Sequence, residues 1–548
     1  MIKRAPTALL ALALALPAHA QQPPNAGQTL QQLQPTLPPP KPAQGVLIQA
    51  PPSIATPSGG MQVPLQTVSF KGNTLFSDAA LHAVLGDVTG KTFDMAGLRQ
   101  LAEAVSHHYQ SQGYPFVRAF LPTQALSNGA LRIEVVEGRY GEVRAIGDDA
   151  TLVAQAQAFL ARLRPGAVIE SGPLERASLI LGDQAGIQSS PLLRPGQALG
   201  SGDLEVTIQR TKAYSIEVGL DNHGNRYTGQ TQARLNLDLN SPFRLGDQAF
   251  VHGLVTKAGM WFGQVAYSSP LGASGLRAQV GYAHTYYELG HEFETLGAHG
   301  TAHVGSLGMS YPLLRSQGAN LALSGTYQHK ILVDQQDAVG TRSDKSSDSL
   351  PLALNFDARD GFGGGGITQG AWAWTQGQLH LDASLRQADA LTARMEGRFD
   401  KVNLDLVRSQ ALVNRLSLFA RVSTQWATHN LDSSEEFGLG GPGGVRAYPV
   451  GEGYGDRGWV GQVELRYTLA AWAPYAFYDA GKVTTNARPW MPGLNERQVA
   501  GAGVGVRFQQ AAAWRADASI AWRSQGGAAQ SDTVQHNPTG WLTLSHQF

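Results

Sequence analysis

The residues best placed to do chemistry in this chain are one arginine and two carboxylates. Arg446 stands in Gly440-Gly441-Pro442-Gly443-Gly444-Val445-Arg446-Ala447-Tyr448, inside a loop predicted from about His429 to Gly458. Glycine and proline at that density stop both helix and strand. Phe477, Asp479 and Gly481 fall at i, i+2 and i+4, so a strand turns all three to one face. Glu464 lies on an alternating segment, Trp459 to Leu469, where Val463, Leu465, Tyr467 and Leu469 interleave with Gln462, Glu464, Arg466 and Thr468. The chemistry is that of an ion pair. A planar guanidinium takes a carboxylate through two parallel hydrogen bonds, which gives direction as well as energy. Asp479 is the first expected partner of Arg446 and Glu464 the second. Spacing alone leaves open a plainer reading, with Arg446 a solvated loop residue and Asp479 an ordinary polar one.

Other constellations carry less. His299 and His303 are four apart with His291-Glu292 nearby, but Gly297 and Gly300 argue against the helix that would bring them to one face, and no metal site is expected. Gly363 to Gly366 lacks the lysine and following helix of a phosphate loop and reads as a turn. Gly501, Gly503 and Gly505 alternate, which clears one face of a strand of side chains rather than binding a nucleotide. No Gly-x-Ser-x-Gly elbow occurs. No catalytic residue and no cofactor is therefore assigned, and the chain is not read as an enzyme.

The elements that must position the arginine and its acids are strands. Charged residues make up only 15% of the 548 positions, well under the usual quarter or so. After the amino terminus no apolar run approaches the roughly 18 residues of a spanning helix. Low charge without spanning helices fits a transmembrane β-barrel, in which only alternate residues meet lipid. From Tyr214 onward the alternation is persistent: Tyr214, Ile216, Val218 and Leu220 interleave with Ser215, Glu217, Gly219 and Asp221. Segments of this kind, with a long loop expected over Asp334 to Ser347, add up to about sixteen antiparallel strands through Phe548. The net charge of zero gives no reason to expect nucleic acid, and the absence of cysteine excludes disulfides and thiol chemistry.

Ahead of the barrel the chain is modular. Lys3 and Arg4, the apolar stretch Ala8 to Leu16 and Ala18-His19-Ala20 read as a secretory signal peptide over 1–20. Residues 21–63 are rich in Pro, Gln and Ala and read as a linker. Residues 64–139 and 140–212 each show the order strand, helix, helix, strand, strand, a doubled unit of two small α+β domains, with the barrel over 213–548. Ser77 and Asp94 are expected helix caps in the first unit.

Val445-Arg446-Ala447-Tyr448 resembles the Val-Arg-Gly-Tyr/Phe tip of the inward-folded sixth external loop of outer-membrane translocation barrels. Phe477-Tyr478-Asp479-Ala480-Gly481 resembles their Phe-x-Asp-x-Gly strand. Ala447 replaces the usual glycine. Within that superfamily the chain is most similar to the TpsB transporters of two-partner secretion, which export haemolysins and filamentous adhesins. The resemblance implies two POTRA domains in the periplasm, an outer-membrane barrel of a Gram-negative bacterium, and a large secreted TpsA-type exoprotein, with or without its activation, as unfolded cargo. It implies a plug helix too; Gly27 to Gln34 offers only about two turns, so the sequence leaves that open. Cargo is expected at sheet edges, by strand addition, along Phe116-Val117-Arg118-Ala119-Phe120-Leu121 and from Ile187 to Leu192 and Leu193. Phe548, a terminal aromatic, resembles the signal read by the barrel-assembly machinery. The remaining expectations are contact with outer-membrane lipid and a monomeric state. An insertase of the same superfamily is the alternative; an outer-membrane enzyme and a passive porin are weaker ones.

Overall fold

The computed structural model describes residues 23–33, 37, 40, 45–49, 59–126, 128–510 and 513–548. The expected signal peptide and much of the expected linker lie outside the described residues. Within the linker region, Asn25 caps α1 (Ala26–Gln32) by accepting from Gln28 N. Seven residues are too few for a helix to persist alone. This one is held by the barrel: Ala26 N donates to Asp334 Oδ1 at 2.8 Å, and Ala26 packs with Tyr227, Met260, Tyr287 and Leu332.

Two α+β units follow. After the short β1 (Leu47–Ile48), the first contains β2 (Val63–Pro64), β3 (Thr67–Lys71), α2 (Asp78–Leu85), β4 (Thr92–Phe93), α3 (Met95–Ser111), β5 (Arg118–Phe120) and β6 (Ala130–Val136). Ser77 accepts from Ala80 N and Asp94 from Gly97 N, so both caps form. α3 buries Leu98, Ala102, Val105 and Tyr109 against the sheet β3-β6-β5, while Met95 stays exposed. The second unit holds β7 (Arg139–Ile146), α4 (Ala150–Leu160), α5 (Ser171–Gly182), β8 (Ile187–Pro195) and β9 (Ser201–Arg210), in the sheet order β1-β8-β9-β7. This unit is seated on the barrel rim, where the Arg315 guanidinium donates to both oxygens of Asp183 at 2.8 Å.

The remaining strands close on themselves. They are β10 (Tyr214–Asp221), β11 (Gln232–Asn240), β12 (Gln248–Thr256), β13 (Trp261–Pro270), β14 (Arg277–Glu288), β15 (Ala298–Arg315), β16 (Ala319–Gln336), β17 (Thr341–Asp360), β18 (Gly366–Leu381), β19 (Gly397–Ala411) and β20 (Leu416–Ala427). The pair β21 (Phe437–Gly438) and β22 (Tyr454–Gly455) sits inside one long loop. β23 (Arg457–Tyr467), β24 (Trp472–Thr484), β25 (Glu496–Gln510), β26 (Trp514–Gln525) and β27 (Thr539–Gln547) complete the wall. Sixteen strands form one closed antiparallel barrel, with β27 paired back to β10 from Asp221↔Thr543 to Glu217↔Gln547. Closure leaves no edge with unpaired N–H groups in hydrocarbon. Val218, Leu220, Leu235, Val251 and Val265 stand out on the outer wall, whereas Asp221, Gln232, Gln462 and Glu464 are buried on the inside.

One loop expectation fails. Over Asp334 to Ser347 the chain stays extended: β16 runs to Gln336 and β17 starts at Thr341, with Asp334↔Ser343 and Gln336↔Thr341 paired. Polar residues there do not break the ladder, because beyond the bilayer neither face of the hairpin has to meet lipid. The glycine run lies where a turn was expected, joining β17 to β18 through Gly365 at φ +96°.

Candidate functional site

The long loop between β20 and β23, the eleventh and twelfth barrel strands, folds into the lumen. Its neck is the β21–β22 pair; beyond it the chain doubles back tightly, with Val445 N donating to Leu439 O at 2.7 Å and Gly441 N to Tyr448 O at 3.0 Å. The crossing demands glycine. A Cβ on Gly444 would lie 2.0 Å from Leu439 O, and Gly441 has φ +93°.

This turn delivers Arg446 to the wall, where it is 4% exposed. Its Nε and Nη2 donate to the two oxygens of Asp479 at 2.8 and 2.7 Å, and its backbone N adds a contact of 3.1 Å. Nη1 donates to Glu464 Oε1 at 2.6 Å. The guanidinium lies over the Phe477 ring at 3.6 Å, and the Arg446 carbonyl accepts from Trp541 Nε1 at 2.7 Å. Burial pulls the Arg446 pKa down, but the bonds and charge of Asp479 and Glu464 outweigh it, so the net shift is upward. Asp479 is fully buried and Glu464 3% exposed, so neither carboxylate could keep its charge there without such partners.

The structure thus brings together Val445, Arg446, Ala447, Tyr448, Glu464, Phe477 and Asp479. Val445 and Tyr448 are core residues of the folded loop, and Tyr448 Oη donates to Gln525 O at 2.8 Å. Gly481 supports the site by omission, since a Cβ there would sit 3.0 Å from Leu439. The alternating glycines of β25 form a trough: Cβ atoms on Gly501, Gly503 and Gly505 would come within 2.4 Å of Ala447, Phe477 and Tyr475. Gly501 is what admits the extra methyl of Ala447.

Around the pair lies a larger network that sequence reasoning missed. Glu464 Oε2 accepts from Arg466 Nε at 2.7 Å and Arg507 Nη1 at 3.0 Å, and Arg507 Nε donates to Asp517 Oδ2 at 2.7 Å. Arg446, Arg466 and Arg507 thereby balance Asp479, Glu464 and Asp517. Arg466 shares a strand face with Glu464, and Arg507 with the glycine trough, so period-two counting from either would have found them. From β16 and β19, Lys330 and Lys401 clamp Glu435 of the loop stem, while Lys345 of β17 holds Asp432 at 2.6 Å. Next to them, Ser433 Oγ donates to Asn25 Oδ1 at 2.8 Å, joining the loop stem to the cap of α1.

Residues 200–508, more than half of the chain, match the family described as "Haemolysin secretion/activation protein ShlB/FhaC/HecB", and residues 63–138 match "POTRA domain, ShlB-type". The chain belongs to the haemolysin secretion/activation family. The heme/hemopexin transporter protein HuxB of Haemophilus influenzae (strain 86-028NP) is 24% identical over 88% of this chain and 86% of its own length. The outer membrane transporter CdiB of Escherichia coli O6:K15:H31 is 26% identical over 84% and 80% respectively. A solved structure of CdiB from Escherichia coli shares the fold, with a TM-score of 0.72 at 21% identity, covering 92% of this chain and 94% of that one. Like its family, the chain is a two-partner secretion transporter of the Gram-negative outer membrane, with POTRA domains in the periplasm, and not an enzyme.

In this family member the expected cargo edges are not bare. In the first POTRA-like unit the strand spans only Arg118–Phe120, so Phe116, Val117 and Leu121 lie outside it. Val117 is 1% exposed in the core, and Phe116 packs against the second unit. β5 ends its sheet, but Ser106 Oγ of α3 accepts from Ala119 N at 2.8 Å and so covers that edge. Phe120 remains exposed. In the second unit Ile187 is paired to Arg210 and 7% exposed, while Leu192 and Leu193 pair in parallel with Leu47 and Ile48 of β1. Both edges are covered for one physical reason, that an open row of backbone donors invites association. Phe548 follows the last strand, 57% exposed on the outer wall, with its N–H donating to Ile216 O at 2.9 Å.

Proposed function

We propose that this transporter carries an unfolded haemolysin- or adhesin-type exoprotein through its lumen, the Arg446 loop acting as the movable obstruction. The observation that carries this reading is the manner of its closure. A loop whose charged tip is buried against a matched set of wall charges is a specific, reversible fastening, and a passive porin needs none. Residues 64–139 and 140–212 are the two cargo-receiving POTRA domains in this account, and Phe548 is the assembly signal. Capture proceeds by strand addition on β8, where β1 is the element to be displaced. β1 contributes only two residues, both exposed, so its displacement is inexpensive. Pro191, mid-strand, offers no N–H, which confines the augmentable stretch to its neighbours. The transporter works as a monomer in outer-membrane lipid.

The decisive experiment co-expresses the chain with a large β-helical exoprotein encoded beside it and scores that protein in the medium. Arg446→Ala is expected to assemble and to lose export. Normal export by a folded Arg446→Ala barrel would refute the reading.

A further inference from the structure

The same loop carries a second fastening with its charges reversed. Six positions beyond Arg446, the Glu452 side chain is fully buried. Its Oε1 accepts from Arg497 Nε at 2.9 Å and Nη2 at 2.7 Å. Its Oε2 accepts from Gln530 N at 2.8 Å, Ser531 N at 3.0 Å and Ser531 Oγ at 2.9 Å. Arg497, on β25, also donates to Gly526 O at 2.7 Å and Ala528 O at 2.8 Å. A buried carboxylate is stable only when its oxygens are met this fully.

The loop's own turn does not need that side chain. Leu439 N and Gly440 N already close it through the Glu452 carbonyl, both at 3.1 Å. The carboxylate instead reaches outward, to the wall and to the external loop joining β26 and β27. Register places Arg497 opposite Val483 and Asp479 opposite Gly501, so the two anchors are separated by about 13 Å along the wall, four residues of strand. One anchor would let the loop pivot; two fix its rotation as well as its position. Because one anchor is a loop cation on a wall anion and the other a loop anion on a wall cation, a passing segment of one charge competes with only one of them.

We infer that Glu452 is a positioning residue that clamps the loop to Arg497 and to the 526–531 segment, and that this clamp opens together with the Arg446 pair whenever the loop moves. The inference rests on the loop's being the movable element of the pore. A thiol reporter tests it. The chain has no cysteine, and a Cβ on Gly443 meets nothing within 4 Å, so Gly443→Cys is a single, well-tolerated probe on the luminal side of the loop.

Intact cells producing the transporter without cargo are treated with a polyethylene-glycol maleimide too large for porins. Against Gly443→Cys alone, Glu452→Gln is expected to raise the labelling rate roughly tenfold, the effect of losing a charge-assisted hydrogen bond. Arg497→Lys should fall between, since it keeps the charge and loses the fork. Combining Glu452→Gln with Arg446→Ala should exceed either alone. Unchanged labelling in Glu452→Gln, with the barrel folded by heat-shifted gel mobility, overturns the clamp. If Glu452→Gln does not assemble, Arg497→Lys and Ser531→Ala decide by the same readout. Raised labelling with undiminished cargo export from Arg446→Ala would keep the clamp and remove the Arg446 pair's role in transport instead.

Discussion

Arg446→Ala removes the fork to Asp479 and the single bond to Glu464 in one step, and its consequences are unequal for the two acids. Glu464 keeps Arg466 and Arg507. Asp479 loses every cation within contact distance among the described residues and stays fully buried. Breaking a buried pair from one side costs on the order of 3–5 kcal/mol, because the remaining charge is stranded. Glu452 still fastens the loop to Arg497, so the tip should pivot off the wall more often while the strand ladder stays intact. Asp479→Asn should cost less, about 1.5–3 kcal/mol, since Arg446 still has Glu464. Glu464→Gln should disturb the tip least of the three. The double variant Arg446→Ala with Asp479→Asn should fall short of the sum, as the stranded charge is gone. Single-channel recordings in planar bilayers, read as the frequency of opening, give the order, and cargo in the medium gives the functional loss. An Arg446→Ala channel as quiet as the parent, or strict additivity in the double variant, would refute the reasoning.

Gly501→Val should expel the tip as effectively as losing the arginine, because its Cβ would lie 2.3 Å from that of Ala447, whereas Ala447→Gly should be silent in the same recordings. Leu47→Pro should free the β8 edge and raise the affinity of the whole transporter for an unfolded cargo fragment several-fold, measured by surface plasmon resonance; unchanged affinity would remove β1 from the capture step. Glu436, in the loop stem, is pushed up to about 8 by burial and by Asp456 and Asp432. A raised carboxyl favours the folded stem in its protonated form, so that stability is present below the ordinary carboxylate range and is lost as pH rises through about 8. Channel opening should therefore be more frequent at alkaline than at neutral pH, and Glu436→Gln should flatten the profile.

The alternation of β10, β23 and β24 was readable in the sequence because a barrel strand has only two environments, lipid and lumen, and each position must choose one. The same two-fold period puts Phe477, Asp479 and Gly481 on one face. The breaking power of Gly440 to Gly444 marked the loop, and the motif around Arg446 pointed it inward. Tertiary structure decided the rest. Arg507, Asp517 and Trp541 join the site from β25, β26 and β27, and only the curvature of the cylinder and the inward fold of the loop bring Arg507 to Glu464, two strands away, and Trp541 to the Arg446 carbonyl. Nothing local marks Glu452, whose partners come from β25 and the 526–531 segment. The sheet edges show the limit most plainly. Strand propensity could locate Ala119 and Leu193, but whether Ser106 or β1 already held their backbone groups depends on packing between elements, which no local pattern encodes.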